Sequence, residues 1–430
     1  MKNSDLRGQL PLNIYYELWK QSIIAIGRTA PNPPVSCVIA EKDTIISSGA
    51  TEPPGQRHAE IVAFDFFDSL KLKGIKNLSL YVTLEPCSTY GRTGPCVLRI
   101  RNYKNIIKNI FIENFDPNLN KSGIKFLLEN DLDVNFINIF KKPHFALEPF
   151  FSVIKRKRPI YYIKVATDNY GLIGINKKSI SITGELGKII TMLLRSKVDA
   201  VIVGPGTVAI DKPSLDFRKI DLNIMHNEEI LHNIEFLKEQ TNFLYYYNSS
   251  IFYDEFIRGI ILFYEDILKE TQHFNYQPKR IFILGHYFKD FFSFYKKQIE
   301  ITEKTNQTFY FLIQNSYIKQ YPLQEIHKDN IRIIPDVKDK NFFEELNKFL
   351  IEINAHRILL ETGANLFKTF YNFLTSEDHI YWIENQTKFL NEELKNIPIQ
   401  DKRYWFFSQY NLVLKDKIKL KNLNIFSLSV

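Results

Sequence analysis

Three short stretches of this chain could do chemistry together. His58-Ala59-Glu60 offers an imidazole and a carboxylate, Pro86-Cys87 a thiol, and Pro95-Cys96 a second thiol. One nitrogen and two sulfurs are a donor set for Zn²⁺ that leaves a fourth position open for water. The metal lowers the pKa of that water, making hydroxide accessible near neutral pH. A glutamate two residues beyond a ligand histidine, itself not a ligand, can take the water proton and hand it to departing ammonia. His58, Cys87 and Cys96 therefore read as metal ligands and Glu60 as the proton shuttle of a hydrolytic deaminase. In nucleoside and nucleic-acid deaminases the two cysteines usually stand two residues apart; here eight residues intervene, including Tyr90-Gly91-Arg92-Thr93-Gly94. Two buried thiols packing as small hydrophobes are the plainer alternative. It is disfavoured because two of only three cysteines fall in this one pattern.

The flanking elements are predicted to bring these groups to one place. A helix over 61–70 puts His58 and Glu60 in its first turn. An apolar strand over 78–83 delivers Pro86-Cys87, and Cys96 opens a helix over 97–103, where a helix N-terminus favours thiolate over thiol. Upstream, Leu12, Tyr15, Tyr16, Trp19, Ile23 and Ile26 recur at helical spacing, and Gly27 ends that helix. Pro31-Asn32-Pro33-Pro34 cannot be helical and feeds a buried strand over 35–40, in which Cys37 serves packing. Strands over 106–112 and 134–139, a turn at Asp116-Pro117-Asn118 and a short helix over 124–128 complete an α/β pattern.

At 430 residues the chain is long for one core, so two domains are expected. Lys+Arg 56 against Asp+Glu 48 gives a net charge of +8, a mild excess that suits an anionic substrate and does not argue for nucleic acid. The three cysteines form no disulfide framework, which suggests a reducing compartment. No apolar signal core opens the chain, and no run reaches the roughly 18–20 apolar residues of a membrane span. A cytoplasmic enzyme follows as the expectation.

His58-Ala59-Glu60 with Pro86-Cys87-Ser88-Thr89-Tyr90-Gly91-Arg92-Thr93-Gly94-Pro95-Cys96 resembles the bifunctional deaminase/reductase family of riboflavin biosynthesis. Arg28-Thr29-Ala30-Pro31-Asn32-Pro33-Pro34-Val35 and Asp116-Pro117-Asn118 add to the resemblance, which is strong over about the first 150 residues and weaker beyond. It implies that Asn32 contacts substrate and that Arg92 contacts the substrate phosphate. Thr51 and Thr89 stand where family members usually carry histidine, and Ser36 where they carry glycine.

In the second half, Lys164-Val165-Ala166, Thr167, Ser179 to Thr183, and Leu194-Arg195 resemble the family's reductase domain. So do the strand-like run Asp199-Ala200-Val201-Ile202-Val203-Gly204 and Asp211-Lys212-Pro213-Ser214-Leu215-Asp216-Phe217-Arg218. The resemblance makes Arg195, Leu215, Arg218 and Glu361 substrate contacts, and Thr167, Thr207, Asp211 and Gly363 contacts to NADPH. Glu361-Thr362-Gly363 follows a strand over 357–360, where backbone amides at a helix start could approach a phosphate; no GxGxxG is present. Tyr170 and Ser181 replace residues the family normally has. Residues from about 219 to 277 have no recognised counterpart and read as an insertion.

The fold expected is α/β: a cytidine-deaminase-like domain over 1–145 and a dihydrofolate-reductase-like domain over 146–430, joined by a junction over 141–158. The activity implied is zinc-dependent deamination of 2,5-diamino-6-ribosylamino-4(3H)-pyrimidinone 5′-phosphate, then NADPH-dependent reduction of the ribosyl chain to ribityl. A homo-oligomer formed through the reductase half is also implied. The alternatives are a nucleoside or nucleic-acid deaminase, and a deaminase whose second half is a non-catalytic scaffold.

Overall fold

The structure, a computed structural model, describes residues 10–90, 94–117, 122–137, 144–169, 171, 173, 181–218, 222–247, 254–274, 276–386, 410 and 412–430. It divides into two compact units. One comprises Met1–Arg156 with Lys238–Ile251 and Leu262–Phe274; the other comprises Lys157–Leu237, Phe252–Ile261 and Asn275–Val430.

In the first unit, helix α1 (Leu12–Ala25) precedes the hairpin β1 (Ser36–Glu41) and β2 (Thr44–Ala50). There follow α2 (Ala59–Ser69), β3 (Leu78–Leu84), α3 (Cys96–Asn102), β4 (Ile107–Asn114), α4 (Gly123–Glu129), β5 (Asp133–Phe136) and α5 (Glu148–Arg156). The strands form one sheet in the order β2-β1-β3-β4-β5. β1 pairs antiparallel with β2 and β3, while β3-β4 and β4-β5 are parallel. Every residue of β3 is buried, as befits a central strand read from a continuous apolar run. Cys37 is fully buried within β1, the packing role expected of it. Strand β2 is absent from the sequence reading, because Thr44 to Ala50 mixes serines and glycine with its apolar residues. Gly49 has a structural reason: a Cβ there would lie 2.4 Å from the Ala59 carbonyl oxygen, so only glycine lets the start of α2 lie flush on the sheet. The junction read over 141–158 contains α5, whose apolar side buries Phe151 and Val153 and whose Pro149 sits in the first turn, where its missing N–H is harmless.

The second unit is built on β6 (Ile160–Asp168), α6 (Gly184–Arg195), β7 (Ala200–Val203), α7 (Pro205–Asp211), β8 (Lys279–Leu284), α11 (Phe291–Thr305) and β9 (Phe309–Gln314). It continues through β10 (Ile331–Ile334), α12 (Phe342–Glu352), β11 (Arg357–Glu361), α13 (Ala364–Tyr371), β12 (His379–Asn385), β13 (Val413–Leu420) and β14 (Leu423–Ser429). Among the described residues nine strands form one sheet, ordered β10-β9-β8-β7-β11-β6-β12-β14-β13. It is parallel from β10 to β12, and β14 and β13 close it antiparallel. After β7 the chain runs outward through β8, β9 and β10. It then returns to β11 and crosses to β12 on the far side of β6. Chain direction therefore diverges at the carboxyl ends of β7 and β11, a topological switch point of the kind where open α/β sheets bind ligands. The many phenylalanines fill this core edge to face; Phe282 meets Phe294 at 5.0 Å and Phe291 meets Tyr321 at 5.0 Å.

The segment read as an insertion is largely helical: α8 (Glu228–Tyr247), α9 (Glu255–Leu262) and α10 (Tyr264–Phe274). Within the first unit α10 packs on α1. Phe263 meets Trp19 edge-on at 5.3 Å, Lys20 pairs with Asp266 at 3.0 Å, and the buried Arg28 pairs with Glu270 at 2.7 Å. Within the second unit Asp254 caps α9 by accepting from the backbone N–H of Phe256 and Ile257, each at 3.1 Å. Arg258 holds Asp416 through both guanidinium arms, at 2.5 and 2.7 Å.

Candidate active site

The polar, Pro- and Gly-containing run over 52–57 gives way to the apolar helical pattern from Ala59, so His58 is the residue preceding α2, in extended conformation, with Glu60 in the first turn. β3 runs out at Leu84 and hands the chain to Glu85-Pro86-Cys87, and Cys96 is the first residue of α3. These starts converge. The Nδ1 of His58 lies 3.6 Å from the Cys87 sulfur and 3.4 Å from the Cys96 sulfur, and all three donor atoms lie within 4.8 Å of one another. Bonds of about 2.3 Å to sulfur and about 2.0–2.1 Å to nitrogen, at tetrahedral angles, would set nitrogen and sulfur about 3.6 Å apart. The donor set therefore fits a zinc ion in chemistry and in spacing.

The electrostatics suit a cation at that point. The Cys87 thiol is drawn down to about 4 by its hydrogen bond with Cys96 and, further, by that with His58, against the opposing effect of burial. The backbone N–H of Cys96, at the opening of α3, donates to the Cys87 sulfur at 3.3 Å. The helix start thus serves Cys87, whereas the sequence suggested that it would serve Cys96 itself. With Cys87 ionised, Cys96 is pushed up by that hydrogen bond and by burial, and His58 is raised by its own bond to Cys87. Glu60 is buried, with 4% of its surface exposed. Burial, then the charge of Cys87, lifts its pKa to about 6, and its carboxyl shares a hydrogen bond with Cys96.

Beyond the donors, a band of ion pairs joins α2, which His58 precedes, to α3, which Cys96 opens. Arg57 contacts both Glu52 oxygens, at 2.9 and 2.5 Å, and reaches Asp65 at 3.1 Å. Arg99 of α3 meets Asp65 at 3.1 Å and Asp68 at 2.6 Å, both on α2. The sequence reading missed this band; its signal is the i, i+3 carboxylate pair on α2. Thr51 is fully engaged: its hydroxyl accepts from the Val35 N–H at 3.2 Å and donates to the Val35 carbonyl at 3.3 Å. Ser36 and Ser22 share a hydrogen bond of 2.9 Å between their hydroxyls. Asn32 is half-buried, and its backbone N–H donates to Thr29 at 2.8 Å in a turn. Arg92 lies outside the described residues.

A second set of residues gathers at the switch point of the larger sheet. Arg195 ends α6, Glu361 ends β11, and the two meet as a fork at 2.6 and 3.0 Å. The remaining arm of Arg195 donates to the Asp216 carbonyl at 3.2 Å. Lys164 of β6, which the sequence reading did not single out, is lowered by burial and by the charge of Arg195, with Glu361 acting the other way. Thr167, at the end of β6, is buried and accepts from the Trp382 indole N–H at 2.6 Å. Thr207 is half-buried in α7 and Asp211 exposed at its end. Leu215 is fully buried in a left-handed conformation, φ +57°. The Arg218 side chain is 61% exposed and lies 3.5 Å from Asp216. Gly363 precedes α13, and among the described residues a Cβ there would meet nothing within 4 Å. Ser181 is exposed, and Tyr170 lies outside the described residues.

The class to which the first site points is also found by comparison. Residues 17–113 match the cytidine and deoxycytidylate deaminase zinc-binding region. The particular relatives are riboflavin biosynthesis proteins RibD. That of Buchnera aphidicola is 32% identical over 216 residues, 49% of this chain and 56% of that protein; that of Bacillus amyloliquefaciens is 34% identical over 198 residues, 45% of this chain and 52% of that protein. The chain thus spans about half the length of the curated relatives it matches. Among solved structures, Acinetobacter baumannii RibD is similar at a TM-score of 0.66 and 21% identity, covering 99% of each chain. The Thermotoga maritima diaminohydroxyphosphoribosylaminopyrimidine deaminase/5-amino-6-(5-phosphoribosylamino)uracil reductase gives 0.65 and 18%, covering 98% of this chain and 99% of the other. The fold is therefore that of these two-part α/β proteins, with a cytidine-deaminase-like first part. Among the described residues no helix is long and apolar enough to cross a membrane.

Proposed function

We propose that this chain is a bifunctional enzyme of riboflavin biosynthesis. Its first part hydrolytically deaminates 2,5-diamino-6-ribosylamino-4(3H)-pyrimidinone 5′-phosphate, and its second part reduces the ribosyl chain of the product to ribityl with NADPH. The observation that carries the first reading is the His58–Cys87–Cys96 cluster, with nitrogen–sulfur separations of 3.4 and 3.6 Å and a buried carboxyl beside it. His58, Cys87 and Cys96 would hold the metal. Zinc, when bound, supplies Lewis acidity and lowers the pKa of a water. Glu60 takes a proton from the attacking water and delivers it to the leaving amine, so water is consumed and ammonia released. A buried carboxyl held near neutrality can serve as both base and acid. Asn32 and Arg92 orient the pyrimidine and its phosphate.

For the second reaction, the start of α13 at Gly363, at the carboxyl end of β11 where the chain direction diverges from that of β7, suits a dinucleotide phosphate. Thr167, Thr207, Asp211 and Gly363 would hold NADPH, which supplies the reducing equivalent when bound. Arg195 and Glu361, locked as a pair, with Leu215 and the exposed Arg218, face the substrate; Arg218 is the guanidinium open to a phosphate. The domains we assign are 1–145 and 146–430. We place the enzyme in the cytoplasm, as a homo-oligomer associated through the second half.

Both half-reactions on purified protein test this reading. Ammonia release from the diaminopyrimidine and NADPH oxidation with the deaminated product are expected. Ammonia release without NADPH oxidation would leave a deaminase with a scaffold second half; activity on free nucleosides instead would redefine the substrate class.

A further inference from the structure

We infer that Glu85 is a positioning residue for the metal centre: it fixes where Cys87 stands by fastening the Glu85-Pro86-Cys87 turn to the start of α4 and to the turn after β4. The inference rests on the zinc reading proposed above. Glu85 is a buried acid, 8% exposed, two residues from a candidate ligand. Its carboxylate accepts from two backbone N–H groups in other parts of the chain. One oxygen takes Ile124 at 3.1 Å and the other takes Asp116 at 3.2 Å. Its own backbone N–H donates to the Asn114 carbonyl at 2.8 Å, and the Asn114 side chain returns a bond to the Thr83 carbonyl at 2.9 Å.

The far side of the same turn is held by shape. A Cβ on Gly123 would sit 1.9 Å from the Pro86 carbonyl oxygen, so α4 touches this peptide backbone to backbone. Pro86 has little torsional freedom of its own. Cys87 is then held from beyond by its carbonyl, which accepts from the Val97 N–H at 3.2 Å. With the turn fastened on both flanks, the Cys87 sulfur meets His58 and Cys96 with little rearrangement. Asp116, which opens a motif conspicuous in the sequence but without a role in the chemistry, gains one here, since its backbone N–H is one of the two donors; Asn118, the last residue of that motif, lies outside the described residues.

The bonds from N–H to carboxylate are charge-assisted. A glutamine at this position accepts with one oxygen and turns its NH₂ toward the other backbone N–H, so one anchor is lost while size is kept. The test is zinc affinity by competition with a chromophoric chelator, on the full chain, for wild type, Glu85→Gln and Glu85→Asp. Metal-free unfolding midpoints and cobalt-substituted spectra are recorded alongside. Glu85→Gln should bind zinc about 10–100-fold more weakly, the range found for groups that orient metal ligands. Its sulfur-to-cobalt charge-transfer band should weaken as the Cys87 thiolate is held less firmly. Glu85→Asp, which keeps the charge but is one methylene shorter, should fall between the two, and it carries the test alone if the glutamine variant does not fold. Wild-type zinc affinity and an unchanged cobalt spectrum in a folded variant would overturn the inference. A wild-type chain that binds no zinc would overturn the metal reading itself.

Discussion

The His58–Cys87–Cys96 cluster and the Arg195–Glu361 pair at the switch point show two ways of arranging polar side chains. At His58, Cys87 and Cys96 the donor atoms face one another, at 3.4 and 3.6 Å from nitrogen to sulfur. At Arg195 and Glu361 opposite charges have already met, and a carbonyl has taken the last arm of the guanidinium. Gathered sulfurs and nitrogen invite an outside cation. A neutralised pair does not, and in the function proposed above binding there falls to Arg218, whose side chain is 61% exposed, and to the helix start at Gly363. Removing a group from the first region should therefore abolish chemistry while the fold survives, and removing one from the second should damage the fold as well.

The largest contrast is expected from Glu60→Gln. It should lower ammonia release by about 10³-fold, within the range of lost general acid–base catalysis, with zinc content and unfolding midpoint near wild type. Cys96→Ser should remove stoichiometric zinc and deaminase activity together while NADPH oxidation persists, read by metal analysis beside both assays. Glu361→Gln should act in reverse. It leaves the buried Arg195 without its counter-charge, costs the second unit about 3 kcal/mol, suppresses NADPH oxidation and spares ammonia release.

A smaller effect tests pH. Burial would raise the pKa of Asp254, but hydrogen bonds from His379 and Ser427 and from the α9 backbone hold it well below the usual carboxylate range. Its folded-state pKa is depressed, so its stabilising contribution is complete above the unfolded value of about 4 and is lost as pH falls through the folded value. The thermal midpoint of the second unit should drop as pH is lowered from about 4 toward the folded value, and Asp254→Asn should flatten the drop. Smallest is Asp65→Asn, which cuts the band of exposed pairs between α2 and α3. It should cost about 0.5 kcal/mol and change ammonia release little; a tenfold loss would mean that the band positions the ligands.

The two regions also differed in how plainly they could be read from sequence. His58, Glu60, Cys87 and Cys96 sit within short motifs next to strong helix and strand signals, so local pattern places each at the start of a helix or the end of a strand. The elements α2, β3, α3 and β11 follow for the same reason. Lys164, Arg195 and Glu361 come from three distant elements, and only the order of the parallel strands, which no local pattern reveals, brings them together. Strand β2 escaped because its residues are weakly apolar. Helices α8, α9 and α10 escaped because their apolar faces acquire meaning only against partners such as Trp19. Glu85 was visible as a letter in a motif, but its role depends on the amides of Asp116 and Ile124, some thirty and forty residues away.

The most direct measurement is X-ray absorption at the zinc edge of purified protein. One zinc per chain should appear with two sulfur neighbours at about 2.3 Å and two nitrogen or oxygen neighbours at about 2.0 Å; Cys87→Ser should hold less zinc, and the fraction it retains under excess zinc should show one sulfur fewer. A centre with no sulfur neighbours, or with a sulfur shell unchanged in that variant, would contradict the assignment of His58, Cys87 and Cys96.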